Sequence, residues 1–159
     1  AKSMADGMPI SAIVGTDKVM DASGPNSLGG TYTGSPTACA AALAVMEVFE
    51  EENILEKSQA LGDKLAARFN EWQGKFDCID HVRNMGAMAA FELVNNKTDR
   101  TPNPELAAAL CKKAREEGLI LLSCGMYGNT IRFLMPVTIE DDVLNEGLDI
   151  IESCLESLI

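Results

Sequence analysis

Apolar residues recur at helical spacing in three stretches of the chain, and at shorter spacing between the second and third. Leu61, Leu65, Phe69 and Trp72 follow one another at steps of four, four and three, which predicts one buried face of a helix that Gly74 can end. Ahead of it, Pro36 suits a first helical turn and Ala38 to Phe49 is rich in good helix formers. Asn53-Ile54-Leu55-Glu56 has capping-box spacing, with Asn in place of Ser or Thr, and predicts the start of the second helix. A last helix is predicted after Thr138 as its cap. Its first turn carries Glu140, Asp141 and Asp142, acids that complement the positive end of the helix dipole. Its apolar face is Val143, Leu144, Leu148, Ile151, Leu155 and Leu158.

Between these stretches the period shortens. Cys78 to Arg83 and Ala87 to Val94 read as two strands around Gly86, followed by a polar loop from Asn95 to Asn103. Asn103-Pro104 sets up an N-cap and first helical position, and that helix is expected to stop at Gly118. Leu119 to Leu122 and Thr130 to Met135 read as further strands joined by a turn containing Gly125 and Gly128. Residues 1–35 differ: they hold six of the 13 glycines, with Pro9 and Pro25 among them and Pro36 directly after. Short apolar pieces such as Ile10 to Val14 predict loops and brief strands there. The pattern as a whole is a mixed α/β (α+β) unit, a small mixed or antiparallel sheet covered by helices, behind a glycine-rich arm. It contains no internal repeat.

Composition narrows the function classes. At 159 residues and 47% hydrophobic, the chain suits one domain, or one domain plus an appendage. A net charge of −11 repels phosphate backbones and anionic lipid, which argues against nucleic-acid or membrane-surface partners. The longest apolar run, Ala38 to Met46, is about half the ~18 residues of a membrane-spanning helix. Five scattered cysteines without a C-x-x-C pair suit a reducing, cytoplasmic setting. With His81 as the single histidine, no zinc cluster can be assembled, and His81 itself reads as a packed or surface imidazole. The opening Ala1-Lys2-Ser3-Met4 has neither an initiator Met nor a targeting segment, as expected of a piece cut from something longer.

Several motifs fail on chemistry. Gly24-Pro25-Asn26-Ser27-Leu28-Gly29 has phosphate-loop glycine spacing, but Gly30 stands where the lysine is required. No G-x-S-x-G elbow occurs. Three other segments agree with one another. Lys2-Ser3-Met4-Ala5-Asp6-Gly7-Met8-Pro9 resembles the cofactor-lysine segment of the class III (ω-amino acid) aminotransferases, which use pyridoxal 5′-phosphate (PLP). Gly29-Gly30-Thr31-Tyr32-Thr33-Gly34-Ser35-Pro36 resembles that family's G-G-T-[YF]-x-G-[NS]-P segment. Gly118 to Gly125, then Asn129-Thr130-Ile131-Arg132 and Pro136, is most similar to the C-terminal region of the 4-aminobutyrate branch. The resemblance runs in order over essentially the whole chain.

The resemblance implies the C-terminal portion of a fold-type I PLP-dependent transferase. Residues 1–35 would be the tail of the cofactor-binding large domain, 36–53 a connecting helix and 54–159 the small α/β domain. It implies an enzyme moving an amino group from an ω-amino acid, 4-aminobutyrate above all, to 2-oxoglutarate, with ornithine- and acetylornithine-type members as the alternative. An ordinary lysine, with a pKa of about 10.4, offers about one free amine in a few thousand at neutral pH, so the cofactor lysine needs a partly desolvated site. Lys2 would be that residue, holding PLP and then moving a proton between substrate and cofactor carbons. Thr31, flanked by glycines, would contact the cofactor phosphate of a neighbouring subunit, which implies a homodimer; a threonine serving only its own turn is the alternative. Arg132, within an apolar strand, needs an anion or an exit to water. The resemblance makes it the clamp for a substrate carboxylate, with a structural ion pair as the other reading.

Ser123, Cys124 and Tyr127 precede that strand and could line the substrate entry. Arg83 departs from the family's R-G-x-G by the following Asn84, and no site role is expected of it. The acid against the pyridine nitrogen, the phosphate-binding helix start and the ring stacked on the cofactor lie upstream of the lysine in the family. The chain alone is therefore expected to be folded but inactive, with apolar surface on its first ~50 residues favouring self-association.

Overall fold

The computed structural model describes residues 2–25, 27 and 29–159. Ala1, Asn26 and Leu28, which belong to the predicted arm and to the rejected phosphate-loop motif, lie outside them. The chain forms two compact units, Ala1–Ile54 and Leu55–Ile159.

The first unit is a 3-10 turn at Lys2–Ala5, a one-turn helix α1 at Asp17–Met20 and helix α2 at Pro36–Glu51. Pro36 occupies the first turn of α2, as its fixed φ favours. The 3-10 turn packs on α2, where Ala5, Ala38 and Ala42 are buried. Small side chains let the two backbones come close. No strand forms over Ile10 to Val14, contrary to the sequence reading; Ile13 and Val14 are exposed instead. A strand needs a partner ladder, and the described residues of this unit supply none. Leu43, Met46, Val48 and Phe49 on α2 are also exposed.

The second unit contains α3 (Ile54–Lys75, all but its first residue), β1 (Ile79–Met85), β2 (Met88–Leu93), α4 (Pro104–Glu116), β3 (Leu122–Cys124), β4 (Thr130–Phe133) and α5 (Asp141–Glu156). The four strands make one antiparallel sheet in the order β1-β2-β4-β3. Alternation sets its two faces: Ala89, Phe91 and Leu93 of β2 and Ile131 and Phe133 of β4 are buried against the helices. Phe69 of α3 meets Phe133 at 4.5 Å between ring centroids and Phe91 edge-on at 5.3 Å. Leu110 of α4 and Leu148, Ile151 and Leu155 of α5 complete the core. This is the small helix-covered sheet the sequence predicts.

Several element ends differ from the sequence reading. Asn53 adopts φ +51, a left-handed link between α2 and α3 rather than the extended geometry of a capping box. Helix α3 runs one residue beyond Gly74, to Lys75. Thr138 lies in a turn closed by the Ile139 N–H on the Pro136 carbonyl, and Glu140 is the extended residue at the start of α5. Val143, placed on the apolar face, is exposed, and Cys154 is buried there instead. The strand predicted over Leu119 to Leu122 begins only at Leu122, and Leu119 is not in it. Its N–H donates to Ala114 O and that of Gly118 to Arg115 O, with Gly118 at φ +88, so the leucine completes a Schellman stop. Asn103 caps α4 as predicted, accepting from the Leu106 N–H at 2.9 Å.

Helices α3 and α5 are also joined by charge. Glu152 accepts from Lys75 Nζ (2.6 Å), Trp72 Nε1 (2.9 Å) and Arg68 (2.8 Å). These donors, Lys75 first, hold its carboxyl down at about 2.

Candidate active-site residues

Lys2 opens the 3-10 turn with φ +57 and is exposed. The turn is tied by the Met8 N–H on Ala5 O at 3.0 Å, and the buried Ala5 anchors it to α2. Among the described residues, no carboxylate pairs with the Lys2 amine. The partly desolvated surroundings expected for a cofactor lysine are therefore not supplied to Lys2 by the described residues, which leave it exposed.

Thr31 lies in the turn that leads into α2. The Thr33 N–H donates to Gly30 O at 3.0 Å and the Ser35 N–H to Tyr32 O at 3.3 Å. Gly34 has φ +72, a conformation costly for residues with a Cβ. A Cβ at Gly29 or Gly34 would meet nothing within 4 Å, so these glycines are not there to relieve internal packing. They leave the Thr31 hydroxyl and its neighbouring backbone open on a solvent-facing turn, which suits an incoming anion such as a phosphate. Lys2 and Thr31 belong to the same unit, and α2 anchors one turn and continues from the other. No hydrogen bond joins the two residues.

Arg132 belongs to the second unit. On β4 it pairs with Ala90 of β2 and Leu122 of β3, on the sheet face away from the buried Ile131 and Phe133. It lines a cavity of ≈ 380 Å³ with Arg83, Met85, Met88, Cys124 and Thr130. The neighbour Ala90 is small, so space beside the guanidinium stays open. Among the described residues no carboxylate pairs with Arg132, and it reaches solvent. The structural ion pair offered as an alternative for it has no partner there.

Glu92 on this face escaped the sequence reading, which expects no site role of its neighbour Arg83. Arg83 donates to Glu92 Oε1 at 2.8 Å and to the His81 carbonyl at 3.0 Å. Glu92 is half-buried on β2, opposite Thr130 of β4. The outward alternation of β2 pointed to Glu92. The face that Arg83 takes is set by an irregularity between Asp80 and Arg83 that shifts the register of β1. His81 is a surface imidazole at φ +50, its Nδ1 2.9 Å from Arg83. Of the turn residues, Cys124 lines the Arg132 cavity, Ser123 is exposed, and Tyr127 borders a different recess with Glu92 and Arg100. No cluster of three metal-ligating side chains, and no helix long and apolar enough to cross a membrane, occurs among the described residues.

Comparison with known proteins agrees over the whole chain. The family described as Aminotransferase class-III matches residues 1–155. The 5-aminovalerate aminotransferase DavT of Pseudomonas aeruginosa is 53% identical over 99% of this chain and 37% of its own length. The 4-aminobutyrate aminotransferase GabT of Escherichia coli is 47% identical over 98% of this chain and 37% of its own length. The chain therefore spans little more than a third of these relatives. Among solved structures, a phospholyase from Arthrobacter in complex with phosphoethanolamine superimposes with a TM-score of 0.88 at 27% identity, over 98% of this chain and 37% of that one. An amine transaminase from an uncultivated Pseudomonas species, in its PLP-bound form, gives 0.74 at 28% identity over 85% and 30%.

Proposed function

Since the chain belongs to the class III aminotransferases, we propose that it forms the C-terminal part of a PLP-dependent enzyme moving an amino group from an ω-amino acid to 2-oxoglutarate. The observation that carries this reading is identity of 53% and 47% with relatives named for 5-aminovalerate and 4-aminobutyrate, over nearly all of the chain. PLP, when bound, supplies an aldehyde that captures amines and a pyridine ring that accepts electrons. Lys2 Nζ would hold the cofactor, and its amine would give and take the proton moved at the substrate carbon. The Thr31 hydroxyl and adjoining backbone N–H groups receive the phosphate, from the neighbouring subunit of a homodimer. Arg132 takes a substrate carboxylate in a bidentate grip, and the fixed plane of that contact orients the substrate. The enzyme is cytoplasmic, and this chain without the remainder is a folded, inactive piece.

The amino donor is 4-aminobutyrate on this reading. A second reading, 5-aminovalerate, is favoured by the 53% identity with DavT. The two donors differ by one methylene, worth roughly 10–200-fold in discrimination. Assay of the intact enzyme with each donor and 2-oxoglutarate, following glutamate formation, decides between them by the ratio of kcat/KM. Normal turnover after Lys2→Ala would overturn the enzymatic assignment. For the chain alone, titration with PLP and borohydride should leave Lys2 unmodified at stoichiometric cofactor; a stoichiometric adduct there contradicts inactivity in binding.

A further inference from the structure

Asn129 and Thr130 are the buried polar side chains among the described residues, and they stand at the entrance of β4, the strand that carries Arg132. A buried amide costs free energy unless it is hydrogen-bonded, so its contacts show what the position does. The β2–β4 register pairs Ala90 with Arg132 and Glu92 with Thr130, and its next step brings Leu93 opposite Asn129. The Leu93 N–H donates to the Asn129 carbonyl at 2.8 Å, as in a regular antiparallel ladder. The return bond comes from a side chain: the Leu93 carbonyl accepts from Asn129 Nδ2 at 2.9 Å. It also accepts, at 2.9 Å, the N–H of Asn103, the cap of α4. Ahead of Asn129 the backbone is still turning, with Gly125 at φ +85, Gly128 at φ +67 and the Gly128 N–H on Gly125 O at 3.2 Å. A Cβ on Gly125 would stand 2.6 Å from Thr130 Oγ1, so the turn lies directly on the strand. The Asn129 amide thus adds one rung to the ladder at the point where the backbone leaves it.

We propose that Asn129 is a positioning residue for Arg132: by tying the entrance of β4 to the end of β2, its side-chain amide sets where along the sheet the guanidinium stands. This rests on the reading of Arg132 as the substrate clamp. Strand β4 has only four residues, so a rung at its entrance is a large share of what holds its register. A slip of one residue would turn Arg132 to the core face. Smaller shifts matter too, because a bidentate grip needs two N–H···O bonds aligned at once. Asn129 is itself buried and touches no substrate. Its loss therefore weakens the hold on a carboxylate and leaves a substrate without one unaffected.

The test uses the intact enzyme with one amino donor and two acceptors, 2-oxoglutarate and propanal, a carbonyl compound that carries no carboxylate. Asn129→Ala should lower kcat/KM for 2-oxoglutarate about three- to tenfold, the order of effect of one neutral hydrogen bond. For propanal kcat/KM should stay at the parent value. An equal fall with both acceptors marks a role in stability alone and overturns the proposal, as does no fall with 2-oxoglutarate. Should Asn129→Ala fail to fold, Asn129→Asp, nearly equal in size but without the N–H donors, is read the same way. A measurement on the parent needs no variant: with asparagine side chains labelled with nitrogen-15, the Asn129 amide protons should exchange slowly with solvent. Exchange as fast as that of an exposed asparagine overturns the proposal. Failure of the underlying reading looks different: Arg132→Ala would then leave the ratio of kcat/KM for the two acceptors at the parent value.

Discussion

Gly62 and Gly86 meet where α3 crosses the β1–β2 hairpin: a Cβ on Gly62 would overlap the Gly86 carbonyl oxygen. The contact is closed from the other side by Ser58, whose hydroxyl accepts the Ala87 N–H at 3.0 Å. A Cβ on Gly86, which already needs φ +53, would stand 2.6 Å from that hydroxyl. The glycine pair therefore sets how closely the helix lies on the hairpin that carries Arg83 and Glu92.

Gly62→Ala should destabilise the second unit, because the obstructing atoms are backbone and cannot swing aside. Overpacking of this kind costs about 1–3 kcal/mol, and the intrinsic helix preference for Ala offsets at most about 1 kcal/mol. Urea denaturation followed by Trp72 fluorescence measures the difference. A variant as stable as the parent would show that α3 slides freely on the hairpin.

Acid should loosen the link between α3 and α5. Glu152 titrates at about 2 in the folded protein because Lys75, Trp72 and Arg68 all donate to its carboxylate. A depressed folded value adds stability that is complete above the unfolded pKa of about 4.3 and is lost as pH falls toward 2. Thermal melts from pH 6 down to pH 2 should show a falling Tm. In Glu152→Gln the fall should be smaller and the Tm at pH 6 lower.

Asn103→Ala removes the side chain that accepts the Leu106 N–H at the start of α4. The loss should be about 1 kcal/mol of stability, measured by urea midpoint at unchanged slope. Asn103→Ser should recover most of it, since a hydroxyl can accept the same N–H.

Thr31→Ala in the intact enzyme should weaken cofactor retention more than turnover at saturating cofactor. One lost hydrogen bond to a charged phosphate corresponds to roughly a tenfold rise in dissociation constant. Release of PLP on dialysis, read by cofactor absorbance, is the measurement. Equal retention in parent and variant would return Thr31 to a role in its own turn.

Local signals located these elements: a regularly spaced apolar face for α3 and α5, Pro36 and a run of helix formers for α2, the Asn103-Pro104 start and Gly118 stop for α4, and the shorter period for the β1–β2 hairpin. The heptad-like run of Leu61, Leu65, Phe69 and Trp72 is buried as read. Lys2, Thr31 and Arg132 were singled out from motif resemblance, which depends on residue order and needs no fold. Ends set by tertiary or multi-residue hydrogen bonding were read less well. Leu119 looked like strand and instead completes a helix stop; Asn53 looked like a cap and instead takes a left-handed turn.

What the sequence determined by itself is the kind of elements present, their order, and the family to which the chain belongs. All three follow from local patterns: a period of 3.6 or 2 and short runs of specific side chains. Only the tertiary structure decided which residues become neighbours across the sheet. Arg83 reaches Glu92 from nine positions away because two strands fold back with an irregular register, and Gly62 must lack a side chain because a carbonyl 24 positions later needs its space. Such pairings depend on long-range packing, which no window along the chain contains.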